Sequence, residues 1–115
     1  MIESYDFGRI RIDGREYTSD VIVFHEKVLD GWWRKEGHQL RVEDLNDIFK
    51  VEPQLEVLVI GTGYSDLMKV SREVENMLRS KGIKLIAEPT KKASQIFNTL
   101  SQAGRRAVAA FHLTC

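Results

Sequence analysis

The sequence predicts an α/β fold in three layers: a mixed central sheet with parallel strand–helix–strand units in its C-terminal half and an antiparallel β-hairpin region at its N-terminus. Three observations carry that reading. From residue 57 onward, short apolar runs alternate with amphipathic helical stretches, the pattern of parallel strands joined by right-handed crossovers. Those runs have no polar alternation, because helices cover both faces of such a sheet. The first 30 residues instead show period-two patterning around Asp13-Gly14, a pair able to take positive φ and a strong short-range hairpin signal.

The elements follow in order. Residues 5–12 read as the first strand. Its apolar positions are odd at Tyr5 and Phe7 and even at Ile10 and Ile12, so a bulge is expected at Gly8. After the Asp13-Gly14 turn, the run Val21-Ile22-Val23-Phe24 reads as the second strand, unbroken and therefore buried on both faces. Residues 30–38 hold two glycines and several charges and read as a loop. A short helix is expected at about 43–50, closed by Pro53. Val57-Leu58-Val59-Ile60 is a short strand bounded by Gly61. Ser71 caps a helix running to about Lys81, with Glu73 and Glu75 early in it, where negative charge suits the dipole. Gly82 is placed to end it in a left-handed conformation. Residues 83–87 make the next strand. Pro89-Thr90 opens a helix with Ala93, Ile96, Phe97 and Leu100 at i, i+3, i+4, i+7, and Gly104 stops it. Residues 107–113 form the last strand.

The bulk numbers exclude several function classes. The 115 residues suit one domain, 1–115, with its own core. Seventeen basic residues balance 17 acidic ones, so no global field draws in nucleic acid or an anionic membrane, and neither is expected as a partner. The single cysteine allows no intrachain disulfide and no multi-cysteine zinc site. The start Met1-Ile2-Glu3-Ser4-Tyr5-Asp6 lacks the basic-then-apolar pattern of a signal peptide, and a cytoplasmic location is expected. No charge-free stretch, the apolar 107–115 included, approaches the ~20 apolar residues of a membrane span.

In open α/β sheets, ligands bind outside the carboxyl ends of the parallel strands. That rule singles out Gly61-Thr62-Gly63, Thr90 after Pro89, and His112-Leu113-Thr114-Cys115. A strand order that reverses between the 57–60 and 107–113 strands would make Gly61, Thr62, Gly63, Thr90, His112, Thr114 and Cys115 the walls of one strand-end cleft. Gly61-Thr62-Gly63 follows a strand as a phosphate loop does, but has neither a third fingerprint glycine nor a Gly-Lys-Ser/Thr. An anion or small-molecule cradle and a plain tight turn are both open readings. His112 and Cys115 invite a thiol–imidazole pairing. The carboxylate beside a chain-end thiol opposes thiolate formation, and no acid near in sequence orients the imidazole. No catalytic residue is therefore assigned. His25, His38 and His112 have no metal-ligand spacing, so neither a metal nor a cofactor is expected. Trp32-Trp33, with His38 behind them, are the candidate contact for a protein partner, since Trp is favoured at interface hot spots. The open alternative is that one Trp tucks under its own loop. Self-association through this loop or the N-terminal β-region is also open.

The residues as a set carry a family likeness. They are Phe7-Gly8, Asp20, Trp33, His38, the strand end Ile60-Gly61-Thr62-Gly63, Thr90 with Ala93, Phe97-Asn98-Thr99-Leu100, and Gly104 through Cys115. Together they resemble the Mth-type domain family of small uncharacterised proteins, over nearly the whole chain. The resemblance implies a three-layer fold around a mixed sheet and implies no reaction. Relatives are described through assembly or regulatory roles, and family members usually carry Tyr where this chain has Phe97. The expectation is a non-enzymatic binding, scaffold or assembly protein. The alternative is a small-molecule or anion-binding enzyme or sensor using the strand-end cleft.

Overall fold

In the computed structural model, which describes residues 1–115, the N-terminal segment is a three-stranded antiparallel sheet: β1 (Ile2–Asp6), β2 (Arg9–Ile12) and β3 (Arg15–Tyr17). Asp13 (φ 49°) and Gly14 (φ 81°) make the tight turn between β2 and β3, as their side chains predict. The expected single strand over 5–12 is corrected. Asp6 pairs with Arg9, and the chain reverses through Phe7-Gly8 with Gly8 at φ 77°. The parity change at Gly8 thus marks a hairpin turn between two strands, not a bulge within one. The run starting at Val21 is also not the hairpin partner of the first strand. β3 takes that place, and β4 (Val21–Val23) pairs with β5 (Val28–Asp30) in the central sheet.

Three short elements follow. They are β6 (Gln39–Leu40), a 3₁₀ turn over Val42–Leu45, and α1 (Asn46–Val51). Then come β7 (Val57–Thr62), β8 (Lys69–Val70), α2 (Arg72–Ser80), β9 (Lys84–Glu88), α3 (Thr90–Gln102) and β10 (Ala107–His112). α2 starts as its sequence dictates, with Ser71 Oγ accepting from the Val74 N–H at 3.3 Å. β6 and β8 form a two-stranded parallel ribbon, too short for any periodicity to announce.

The central sheet has the order β5-β4-β10-β7-β9. β10 sits in the middle, parallel to β7 and antiparallel to β4. The chain goes from β7 through α2 out to β9, then back through α3 to β10 on the other side of β7. Right-handed crossovers in opposite directions must lie on opposite faces, and the core divides accordingly. Ile22, Leu58, Ile60, Val108 and Ala110 pack with Val74 and Leu78 of α2, and with Leu45, Ile48 and Trp32. The alternating set Val21, Val23, Val57, Val59, Ala109 and Phe111 packs with Ala93 and Phe97 of α3, and with Ile2, Ile10 and Ile12 of the N-terminal sheet. Each large apolar side chain among them, fully buried, contributes roughly 1.5–3 kcal/mol. No helix is long and apolar enough to cross a membrane.

Candidate functional site

The carboxyl ends of β7 and β10 meet as adjacent parallel strands, with Thr62 opposite His112. The predicted residues are therefore brought together, but not around an opening. Thr90, fully buried at the start of α3, joins the strand ends. Its Oγ1 donates to the His112 carbonyl at 2.6 Å and accepts from the Gly63 N–H at 2.9 Å. Its own N–H donates to the Gly63 carbonyl at 3.1 Å. Gly61 lies where α3 crosses β7 most closely, and a Cβ there would stand 2.6 Å from Phe111 Cδ1 and 2.8 Å from Thr90 Oγ1. The last residues then cover Gly63. The Tyr64 N–H donates to the Thr114 carbonyl at 3.0 Å and the Leu67 N–H to a Cys115 oxygen at 3.2 Å. Gly63 takes φ 105°, and a Cβ on it would come within 2.5 Å of Thr114 O. The expected cleft is corrected on this point: the backbone of residues 114–115 fills the space at Gly63, and Phe111 and Thr90 fill it at Gly61. Two grooves of about 600 Å³ lie at the other, N-terminal end of the parallel strands, and Arg105 and Arg106 line both.

Tyr5 ties the N-terminal sheet to the same chain end. Its hydroxyl donates to the Leu113 carbonyl at 2.7 Å, and the Gly8 N–H donates to that carbonyl at 2.8 Å. Burial, helped by the charges of Asp20 and Asp6, pushes the Tyr5 phenol up to about 12. The folded state thus favours the neutral phenol. Its contribution is complete below pH 10, the ordinary tyrosine value, and is lost as pH rises through about 12. Tyr5→Phe is expected to lower stability by about 1 kcal/mol near neutral pH, the usual worth of one such hydrogen bond. The wild-type advantage should shrink between pH 10 and 12, which urea midpoints of both proteins measured across that range would check.

On the α2 face of the sheet, the fold assembles a cluster that no motif announces. Asp20, just ahead of β4, has three polar partners. Arg34 Nη1 donates to its Oδ2 at 2.7 Å, the Leu113 N–H to its Oδ1 at 2.8 Å, and His112 Nδ1 lies 2.9 Å from Oδ2. Arg34 Nη2 donates to the Gly37 carbonyl at 3.2 Å and stands 2.9 Å from the same His112 Nδ1. The Arg34 guanidinium also stacks over the Trp32 ring at 4.7 Å, and Trp32 Nε1 donates to the Asp44 carbonyl at 3.0 Å. Burial pushes the Asp20 carboxyl up, but the bonds from His112, Leu113 and Arg34 outweigh it and hold the carboxyl below its ordinary value. The fold thus supplies the acid that the sequence around His112 lacks. An imidazole oriented by a carboxylate through Nδ1 resembles the base half of a hydrolytic triad. Here, however, Nε2 is buried with no partner, as is Arg34 Nε, so no solute reaches either. What the arrangement can do is lock the 31–38 loop to the centre of the sheet. Asp20 is visible in the sequence only as part of the family likeness, and Arg34 carries no signal.

The two tryptophans of that loop part company. Trp32 is 8% exposed and belongs to the core, which is the open alternative of one Trp tucked under its own loop. Trp33 is 77% exposed, and His38 is exposed behind it with its ring 6.2 Å from that of His112. The hydroxyl of Thr62, beside His112 on the same face, donates a hydrogen bond to Asp66 Oδ1.

Comparison with known proteins places this architecture. The conserved hypothetical protein PH1505 from Pyrococcus horikoshii OT3 superposes with a TM-score of 0.82 at 26% identity, covering 100% of this chain and 99% of that one. A Bordetella pertussis protein described as a Mth938-like domain shares the fold with a TM-score of 0.75 at 21% identity, covering 97% of this chain and 84% of that one. A Danio rerio protein named NADH dehydrogenase (ubiquinone) 1 alpha subcomplex assembly factor 3 is 33% identical over 111 residues, 96% of this chain. The chain spans 62% of that relative's length. The family described as protein of unknown function (DUF498/DUF598) matches residues 2–112, and the chain belongs to it, the Mth-type domain family that its strand ends and its last twelve residues resemble.

Proposed function

We propose that the protein is a non-enzymatic binding protein of the scaffold or assembly kind, working in the cytoplasm and docking a protein partner through Trp33. One observation carries this reading. Trp33 projects into solvent between two residues fixed in the body, Trp32 in the core and Arg34 in its buried ion pair. An exposed Trp held this way loses little conformational freedom on binding, which is what a hot-spot anchor requires. The assembly-factor name of the Danio rerio relative supports the same class of role. Against a small-molecule or anion site at the strand ends stands the backbone packing that fills them.

The test compares tagged wild type with Trp33→Ala in native extract of the source cell, with quantitative mass spectrometry. A hot-spot Trp is worth about 2 kcal/mol or more, roughly a 30-fold loss of affinity. The expected result is a bound protein recovered with wild type and lost with the variant, at matching thermal melts. Equal recovery by both rules the Trp33 reading out.

A further inference from the structure

We propose that protonation of His112 expels the Arg34 guanidinium from its buried pairing with Asp20 and so uncovers the Trp32 ring. The cluster holds one carboxylate for two nitrogen groups. Arg34 Nη1 and His112 Nδ1 both address the same oxygen, Asp20 Oδ2, at 2.7 and 2.9 Å, while Arg34 Nη2 and His112 Nδ1 are themselves 2.9 Å apart. With a neutral imidazole, the guanidinium and the carboxylate balance. Whichever tautomer that imidazole adopts, adding a proton places a second positive charge within hydrogen-bonding distance of Arg34. Only one carboxylate answers the two charges, and both side chains are more than nine-tenths buried. The added proton also leaves the imidazolium with an N–H at the buried Nε2, which has no acceptor. Repulsion at that depth is weakly screened.

The neighbouring charged groups do not relieve it. From the loop come Arg34 itself and His38, which can only add positive charge. From the β7 side, Asp66 is engaged by the Thr62 hydroxyl. From the N-terminal sheet, Tyr5 is held neutral and spends its proton on Leu113 O. Asp44 is turned to the backbone N–H groups of Lys35 and Arg41. One of the two cations must therefore leave. His112 cannot, because β10 is paired on both sides in the middle of the sheet. The Arg34 side chain can: residues 31–35 lie outside any strand or helix, and once His112 Nδ1 carries a proton the guanidinium is held by Asp20, the Gly37 carbonyl and the Trp32 ring. Its departure uncovers the face of the Trp32 ring that the guanidinium covers, while the loop backbone stays held by the Trp32 N–H on the Asp20 carbonyl and the Lys35 N–H on Asp44. Acidification is the trigger, imidazole being the side chain of the cluster that can gain a proton. The release concerns how the Arg34 side chain is held and stands whether or not Trp33 docks a partner.

The experiment uses the Trp33→Phe protein, which leaves Trp32 as the single tryptophan, and measures acrylamide quenching of its fluorescence from about pH 7.5 to 5, the imidazole range. Far-UV circular dichroism is followed in parallel. The quenching constant is expected to rise at least twofold with an unchanged far-UV spectrum. Adding His112→Asn, which keeps a hydrogen-bonding group at the Nδ1 position and cannot take up the proton, should abolish the rise. Adding His38→Asn should leave it in place. A flat quenching constant in the parent, a rise that survives His112→Asn, or a rise that comes only with loss of the far-UV signal each overturns the proposal.

Discussion

Asp20→Ala is expected to destabilise the protein by about 3–5 kcal/mol, the range for removing one partner of a buried ion pair. The side chain of Arg34 is 4% exposed, so its charge would remain buried without an answer, and the Leu113 N–H would lose its acceptor as well. Against a total of about 5–15 kcal/mol for a domain, that is a large share. Two companions separate the causes. Asp20→Asn keeps an oxygen for the Leu113 N–H and removes the charge. Asp20→Ala with Arg34→Met removes both charges and should recover part of the loss, since the penalty lies in the orphaned cation more than in the missing pair. Urea denaturation of wild type and these variants, with Arg34→Met alone, supplies the cycle. The same carboxyl sets an acid limit. Its pKa in the folded state lies below the ordinary 3.8, so its contribution is present above that value and is lost as pH falls through the lowered one. The gap between wild type and Asp20→Asn should therefore close below about pH 4. A gap that persists undiminished at about pH 2 would contradict the charge-based account.

Gly61→Ala is expected to cost about 3 kcal/mol, the upper end of the overpacking range, although it adds one methyl group. The new Cβ would stand 2.6 Å from Phe111 Cδ1, 2.8 Å from Thr90 Oγ1 and 3.2 Å from Thr90 Cα. None of these can give way easily. Phe111 is fully buried and meets the Phe97 ring edge-on at 6.4 Å, and Thr90 is held by hydrogen bonds to Gly63 and His112. The loss should appear as a fall of roughly 10 °C in the melting midpoint for a chain of this size. Adding Phe111→Leu, which makes room at the contact, should recover part of it. Equal melts for wild type and Gly61→Ala would show that α3 is free to shift away from β7.

What is legible in the sequence is whatever a local pattern encodes. The apolar runs of β7 and β10 appear where the pattern puts them, because both faces of these strands are covered, and that of β9 appears there too, half-buried at the sheet edge. The Ser71 cap fixes the start of α2. β3, β5, β6 and β8 escape sequence reasoning because two or three residues cannot show a period. The hairpin at Phe7-Gly8 reads as a bulge because a two-residue turn and a bulge both shift the alternation by one. The strand-end cleft follows soundly from topology, yet topology cannot say that residues 113–115 fold over Gly63. The Asp20–Arg34–His112 cluster lies beyond local patterns altogether. Arg34 is 14 residues from Asp20 and 78 from His112 along the chain, and only the placement of the 31–38 loop against β10 joins them. Trp32 and Trp33 are alike in sequence, and only the tertiary packing of Trp32 in the core beneath Arg34 tells them apart.

The position of β10 has a consequence for how the domain comes to be folded. It is the last strand of the domain to be synthesised and the middle strand of the sheet, so Val21 waits for Phe111 until nearly all of the domain exists. Until then the β4–β5 hairpin and the β7–α2–β9 unit each present an open apolar edge to the gap β10 will fill. Unpaired edges of that kind are where nascent chains join one another by mistake. Partners so distant in sequence also close slowly. The most hazardous interval for this molecule is therefore its own biogenesis, before the final strand is threaded between two halves that cannot pair without it.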